Sequence, residues 1–224
     1  MNLTPAQSTA FPLLLRSPQW CKSPSVTVNG ERVDIALDEH SFLQIERTWN
    51  AGDVIVLRFP MEPCLEQGVD RNAQQVAMPT SGSWGQGSVL GQFTNTDLSA
   101  VPYASISLGP LLFSLPIPEE NGDENRPVHD AVWQYALDPN RVLDAVTVER
   151  SEIPHPWAWQ REAPVQLRVQ ACSAQWTHDT EFPHLPMTHE MELGSTQTIS
   201  LIPYGCAKLR VSMFPVTESP KKSP

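Results

Sequence analysis

The chain has 224 residues and a formal net charge of −10, with 25 acidic residues against 15 lysines and arginines. This balance argues against a nucleic-acid partner, because phosphates are bound by clustered cations, and against an anionic membrane surface. No segment approaches the roughly 20 consecutive apolar residues of a membrane-spanning helix. The 22 prolines break helices and punctuate short strands, which excludes a largely helical fold.

Residues 11–61 alternate short extended segments with turns. Strands are predicted in "FPLLLR", "SVTVNGERVDI", "FLQIERTW" and "AGDVIVLRFPM". Within the second of these segments, between "SVTV" and "ERVDI", Asn29-Gly30 predicts a type I′ hairpin turn, since both residues tolerate positive φ. The last segment has apolar residues on both alternating faces, which predicts a strand inside a β-sandwich.

Residues 66–102 are rich in Gly, Ser, Asn and Gln, and they predict a long connection or insertion. Strand character returns in "YASISLGPLLFSLPI", and about seven strands at sandwich spacing follow. We therefore predict an all-β protein of two packed antiparallel β-sandwich units, jelly-roll-like and with little helix. The first unit spans residues 9–103, the second spans 104–218, and a disordered tail occupies 219–224.

Targeting and redox signals are weak. The amino-terminal segment has no basic region, and its apolar run of five residues is interrupted by Pro12, so no secretory signal is predicted and a cytoplasmic location is expected. The four cysteines are isolated, without a C-x-x-C pair, which is typical of neither a disulfide framework nor a zinc ribbon. No metal or other cofactor is expected.

One candidate function is metal binding. The segment "THDTEFPHLPMTHEMEL" offers His178, His184 and His189 together with carboxylates. It lacks the spacing of a helix-borne zinc site, and Pro183 and Pro186 forbid a regular helix there, so a solvated loop is favoured. Neither a serine-hydrolase elbow nor a phosphate-binding glycine loop occurs, and the acidic residues lie mostly in polar turns. No catalytic or metal-binding residue is predicted.

Carbohydrate binding is the second possibility. Trp157 and Trp159 are two residues apart and point the same way in an extended segment, where their rings are suited to stacking on a sugar. Trp84, within the insertion, is a third candidate for glycan contact. The alternative, that these rings cover the core or a neighbouring domain, is favoured because large aromatic residues are common in both places.

Cys206 lies in the segment "ISLIPYGCAKLRVSMFP" near the end of the chain. A thiol reacts or binds metal as the thiolate, and the local candidates for stabilising it are Lys208 and Arg210. The apolar residues around it predict the face of a strand. We therefore interpret Cys206 as a structural thiol.

Five motifs in order resemble the non-catalytic C-terminal β-sandwich region, with its middle and C-terminal domains, of glycoside hydrolase family 127. They are "LLLRSPQWCKSPSVTVNGE", "FLQIERTWNAGDVIVLRFPMEP", "YASISLGPLLFSLPI", "VWQYALD" and "LIPYGCAKLRVSMFP". The family contains β-L-arabinofuranosidase-like enzymes, and the resemblance extends over about residues 11–216. It implies an (α/α)6-barrel catalytic domain followed by β-sandwich domains. The family's cysteine nucleophile and zinc site include an adjacent Cys-Cys pair that this sequence lacks, so no site residue is carried over.

The resemblance implies an accessory, structural role, with no enzymatic activity of the chain as given and the catalytic barrel absent from it through truncation or gene splitting. The expected partner is a catalytic barrel on a separate chain, or a second copy through the exposed barrel-facing surface. Large exposed apolar surfaces usually indicate such a partner. The alternative is a stand-alone carbohydrate-binding module whose partner is a glycan.

Overall fold

The computed structural model describes residues 1–71, 78–79, 90–91, 100–120, 127–152, 163–176, 185–186 and 190–217. The predicted fold class is confirmed, because the described chain is nearly all β, with several antiparallel sheets. Two short 3-10 turns, Val142–Ala145 and Tyr204–Cys206, are its helical elements with described bounds. No helix in these ranges is long and apolar enough to cross a membrane.

The strands are β1 (Thr9–Arg16), β2 (Ser25–Val28), β3 (Glu31–Val33), β4 (Phe42–Trp49), β5 (Ile55–Arg58), β6 (Pro63–Arg71), β7 (Met78–Pro79), β8 (Leu90–Gly91), β9 (Ala100–Leu108), β10 (Leu111–Pro116), β11 (Tyr135–Ala136), β12 (Thr147–Arg150), β13 (Val165–Gln175), β14 (Glu192–Pro203), β15 (Arg210–Val211) and β16 (Phe214–Pro215).

Two compact units divide the chain. The first comprises Met1–Pro63 with Leu108–Pro110, and the second comprises Cys64–Ser107 with Leu111–Pro224. The boundary predicted between the two units, at residues 103 and 104, falls inside β9. Strand β6 extends to Arg71, so strand structure continues into the segment predicted as an insertion. The predicted tail lies outside the described residues.

In the first unit, β1 pairs with β4 over all eight residues, and β2 pairs with both β3 and β5. Side chains alternate along β1, where Leu13 and Leu15 are half-buried and Leu14 is exposed, as the two-residue period of a strand requires. The core forms around Trp49, whose ring is fully buried and whose Nε1 donates to the Phe11 carbonyl at 3.0 Å. The other fully enclosed residues of this core are Val26, Val28, Leu43, Ile45 and Ile55.

The predicted hairpin turn at Asn29-Gly30 is confirmed. Asn29 has φ of 53° and Gly30 has φ of 87°, the left-handed conformations that a type I′ turn needs. The turn is tied to the next reversal of the chain, because Asn29 Nδ2 donates to Asp53 Oδ1 at 2.8 Å and the Val54 amide donates to Asn29 Oδ1 at 2.8 Å. These side-chain bonds fix two loops of the first unit in one arrangement.

In the second unit the main sheet has the strand order β11-β13-β14-β10-β9-β16. Three further strands pair at its sides, β12 with β13, β15 with β10 and β6 with β9. The ends of the strand order meet, because the Leu137 amide donates to Pro215 O and the Thr217 amide donates to Leu137 O, both at 2.9 Å. The sheet therefore curls, and backbone groups at its two end strands are satisfied by each other.

Candidate functional site

A cavity of about 970 Å³ lies in the second unit. It is lined by residues 116–119, by Gln166 of β13, by Ser200 and Ile202 of β14, and by residues 205–210. The volume is at the upper end of the range typical of small-molecule sites, roughly 300–1,000 Å³.

The floor of the cavity is the face of β13 and β14 that points away from the main core. Leu167 and Leu201, which pair across the two strands, are fully buried on the core side. Gln166 and Ser200 precede them in sequence, and successive strand side chains point to opposite faces. The alternation thus places a polar amide and a hydroxyl on the cavity side.

The wall formed by residues 205–210 is held in place by backbone pairing. Pro116 of β10 lies opposite Arg210 of β15, and the Ile117 amide donates to the Leu209 carbonyl at 2.9 Å. Between β14 and β15 the chain passes through the 3-10 turn Tyr204–Cys206. The apolar residues on the two sides of Cys206 therefore belong to two strands separated by this turn, because β14 ends at Pro203.

Cys206 lines this cavity as a half-buried thiol. It packs against a small apolar cluster of Ala163, Ile202 and Ala207. Burial raises the pKa of the Cys206 thiol, since a thiolate loses solvation there. The thiol is therefore protonated at neutral pH, and this environment does not supply the nucleophile or metal ligand that a thiolate provides.

Arg210 is held on the cavity wall by several contacts. Its guanidinium carbon lies 3.6 Å from the centroid of the Tyr204 ring, in a cation–π arrangement. Its Nη1 also donates to the carbonyls of Ala207 and, at 3.1 Å, Lys208. Because both the ring and two carbonyls hold it, the guanidinium has a fixed orientation at the cavity.

The carboxylates of the cavity do not form a hydrolytic pair in the described chain. Among the described lining residues, Glu119 is the one carboxylate. Glycoside hydrolysis by general acid and base requires two carboxyl groups facing each other across the sugar. The described walls are suited to binding a ligand through an arginine, an amide and a hydroxyl.

Trp84, Trp157 and Trp159, proposed for glycan contact, are outside the described residues, as are His178, His184 and His189. Within the described ranges, no group of three or more His, Cys, Asp and Glu side chains is arranged to hold a metal ion. Sequence reasoning considered Arg210 only as a neighbour of Cys206 and missed its stacking on Tyr204, which depends on the intervening turn.

The sequence of the first unit matches a known sequence family. Residues 1–61 match the sequence family described as beta-L-arabinofuranosidase, GH127 middle domain. Comparison of the sequence with curated proteins finds no significant match. The matched segment nearly coincides with the part of the first unit that is continuous in sequence, Met1–Pro63.

Two solved structures share the fold of nearly the whole chain. One, described as a glycoside hydrolase, is 20% identical and superposes with a TM-score of 0.56 over 97% of this chain and 29% of its own. The other, a GH127 beta-L-arabinofuranosidase from Geobacillus stearothermophilus T6, is 23% identical, with a TM-score of 0.50 over 96% of this chain and 27% of its own. The chain thus spans less than a third of the length of either protein.

The predicted resemblance to glycoside hydrolase family 127 is confirmed by these findings. The match to the sequence family covers residues 1–61. For the rest of the chain the resemblance is a likeness of fold. The findings support an accessory domain of a GH127-like protein and do not favour a stand-alone carbohydrate-binding module.

Proposed function

We propose that this chain is a non-catalytic, structural β-domain region that supports the catalytic barrel of a β-L-arabinofuranosidase-like glycoside hydrolase. The observation that carries the proposal is the match of residues 1–61 to the GH127 middle domain. The fold shared with about 29% of a glycoside hydrolase is consistent with a role beside a larger catalytic part.

The chemistry of the described residues supports a role without catalysis. The Cys206 thiol is held in its protonated form by burial, and the described cavity lining contains a single carboxylate. Neither a thiolate nucleophile nor a pair of acids is assembled in these parts of the chain.

Exposed aliphatic side chains on the first unit support the need for a protein partner. Leu14 is 54% exposed on the outer face of β1, and Val56 is 40% exposed on β5. A bound protein would remove these two side chains from water, which is favourable. The partner in this proposal is the catalytic barrel, and association with a second copy is the competing outcome.

The test measures hydrolysis of an aryl β-L-arabinofuranoside by the chain alone, by a separately produced family 127 catalytic barrel, and by their mixture. We expect the chain alone to be silent, and the mixture to co-purify as a complex that is more active than the barrel. Hydrolysis by the chain alone would overturn the assignment. A chain that self-associates and leaves the barrel unbound would likewise contradict it.

A Cys206→Ser variant is the control for this experiment. Because the thiol takes no part in the proposed role, the mixture containing the variant should keep the activity of the unchanged mixture. A large loss of activity, with the complex still formed, would show that Cys206 acts in catalysis.

A further inference from the structure

Arg210 is a cation without an acidic partner in the described chain. The ion pairs of the described residues include Arg168 with Glu149 at 2.6 Å and Arg32 with Asp34 at 3.4 Å, and none of them involves Arg210. Arg210 is also half-buried, whereas the guanidinium of an arginine without a partner is normally left in water. In a protein of net charge −10, a half-buried arginine without an acidic partner in the described chain is suited to binding an anionic ligand.

The guanidinium of Arg210 is arranged to receive an anion. All its hydrogen bonds to described residues come from Nη1, which donates to the carbonyls of Ala207 and Lys208. An arginine carries five N–H donors, so those on Nε and Nη2 remain. Two adjacent donors in one plane match the two oxygens of a carboxylate. Stacking on Tyr204 holds that plane before any ligand arrives.

The rest of the cavity indicates what the anion is attached to. Gln166 and Ser200 provide an amide and a hydroxyl, which suit the hydroxyl groups of a ligand. Ile202 and Leu209 add apolar walls.

We propose that this cavity binds a small hydroxylated carboxylic acid, whose carboxylate is received by the Arg210 guanidinium and whose hydroxyl groups bond to Gln166 and Ser200. The site is independent of the proposed support of a catalytic barrel. It requires only the second unit, to which all its residues belong.

The test uses D-glucuronate as the probe, with its neutral methyl ester as the matched control ligand. Binding to the unmodified chain is measured by calorimetry and by the NMR signal of the arginine side-chain Nε–H groups. We expect glucuronate to bind about tenfold or more tightly than the ester, the difference that a charge-assisted pair of hydrogen bonds produces. Equal binding of the two, or binding of neither, would overturn the proposal.

Two variants assign the effect to one arginine. Arg210→Gln should abolish the preference for glucuronate over its ester, whereas Arg32→Gln, which removes an arginine of the first unit already paired with Asp34, should preserve it. Equal losses in both variants would contradict the assignment. The ester comparison on the unmodified chain stands even if Arg210→Gln disturbs the turn. Tighter binding of inorganic phosphate than of glucuronate would refute the carboxylate as the recognised group.

Discussion

In the first unit β1 pairs with β4, up to 40 residues away (Thr9 with Trp49), whereas in the second unit β16 pairs with β9 more than 100 residues earlier (Phe214 with Ala104). In the first, the hydrogen bond from Trp49 to Phe11 spans 38 residues, and β2 turns directly into β3. In the second, Ser114 reaches the Ile202 carbonyl across 88 residues, and the strand order of the main sheet does not follow the chain.

This difference parallels what the comparisons detect. The sequence family matches residues 1–61, which lie in the first unit, while for the second unit the comparisons show a likeness of fold alone. Short hairpins depend on specific turn residues such as Asn29-Gly30. A sheet of long strands depends mainly on alternating apolar positions, which many side chains of similar volume satisfy. The second unit can therefore retain its fold while its sequence diverges.

The largest expected effect comes from the centre of the first core. Replacing Trp49 by Ala should destabilise the first unit by about 3–5 kcal/mol, because a fully buried ring is lost and a cavity remains. Hydrogen exchange resolved by residue should show lost protection in β1 and β4, with protection of β13 and β14 maintained. Trp49→Phe, which keeps most of the apolar contact, should have a smaller effect. Equal loss of protection in both units would contradict the view that each has its own core.

The second unit offers a matched pair of leucines. Leu167 is fully buried on β13, and Leu193 is 47% exposed on the neighbouring β14. Leu167→Ala should lower the free energy of unfolding by about 2–5 kcal/mol, and Leu193→Ala by less than about 1 kcal/mol. Urea denaturation of both variants measures the difference. Similar losses at the two positions would contradict the described placement of the core.

The smallest expected effect is confined to acid pH and to the first unit. Asp53 accepts hydrogen bonds from the Asn29 side chain and from the Asn50 amide, and these bonds lower the pKa of its carboxyl group below 3.8. A lowered pKa contributes stability above the unfolded pKa, and that stability is lost as the pH falls through the folded value. Asp53→Asn should therefore flatten the decline in stability of the first unit below about pH 4.

The control for this prediction is Asp34→Asn. The Asp34 side chain is 94% exposed and pairs only with the exposed Arg32 among described residues, so its loss should leave the acid dependence unchanged. Thermal unfolding at a series of pH values distinguishes the two variants. An acid dependence that persists in Asp53→Asn would show that other carboxyl groups cause it.

Much of the fold was predictable because it depends on local rules. The type I′ turn follows from Asn29-Gly30, and most strands follow from apolar alternation bounded by Pro and Gly. The turn at Cys206, in contrast, is a feature that the structure adds. The apolar residues on both sides of "PYGCAK" have the pattern of one strand, but the chain makes a 3-10 turn between Pro203 and Ala207. Alternation alone does not reveal such an interruption.

The sequence by itself determined the fold class, the hairpin of the first unit and the resemblance to glycoside hydrolase family 127, since these depend on turn residues, side-chain alternation and motif order. Only the tertiary structure decided which strands neighbour each other in the second unit and that Arg210 stacks on Tyr204 beside a cavity. The reason is physical: pairing between distant strands is selected by the burial of the whole core. The cavity, in turn, is formed by segments that the folded sheet brings together, from residue 116 to residue 210.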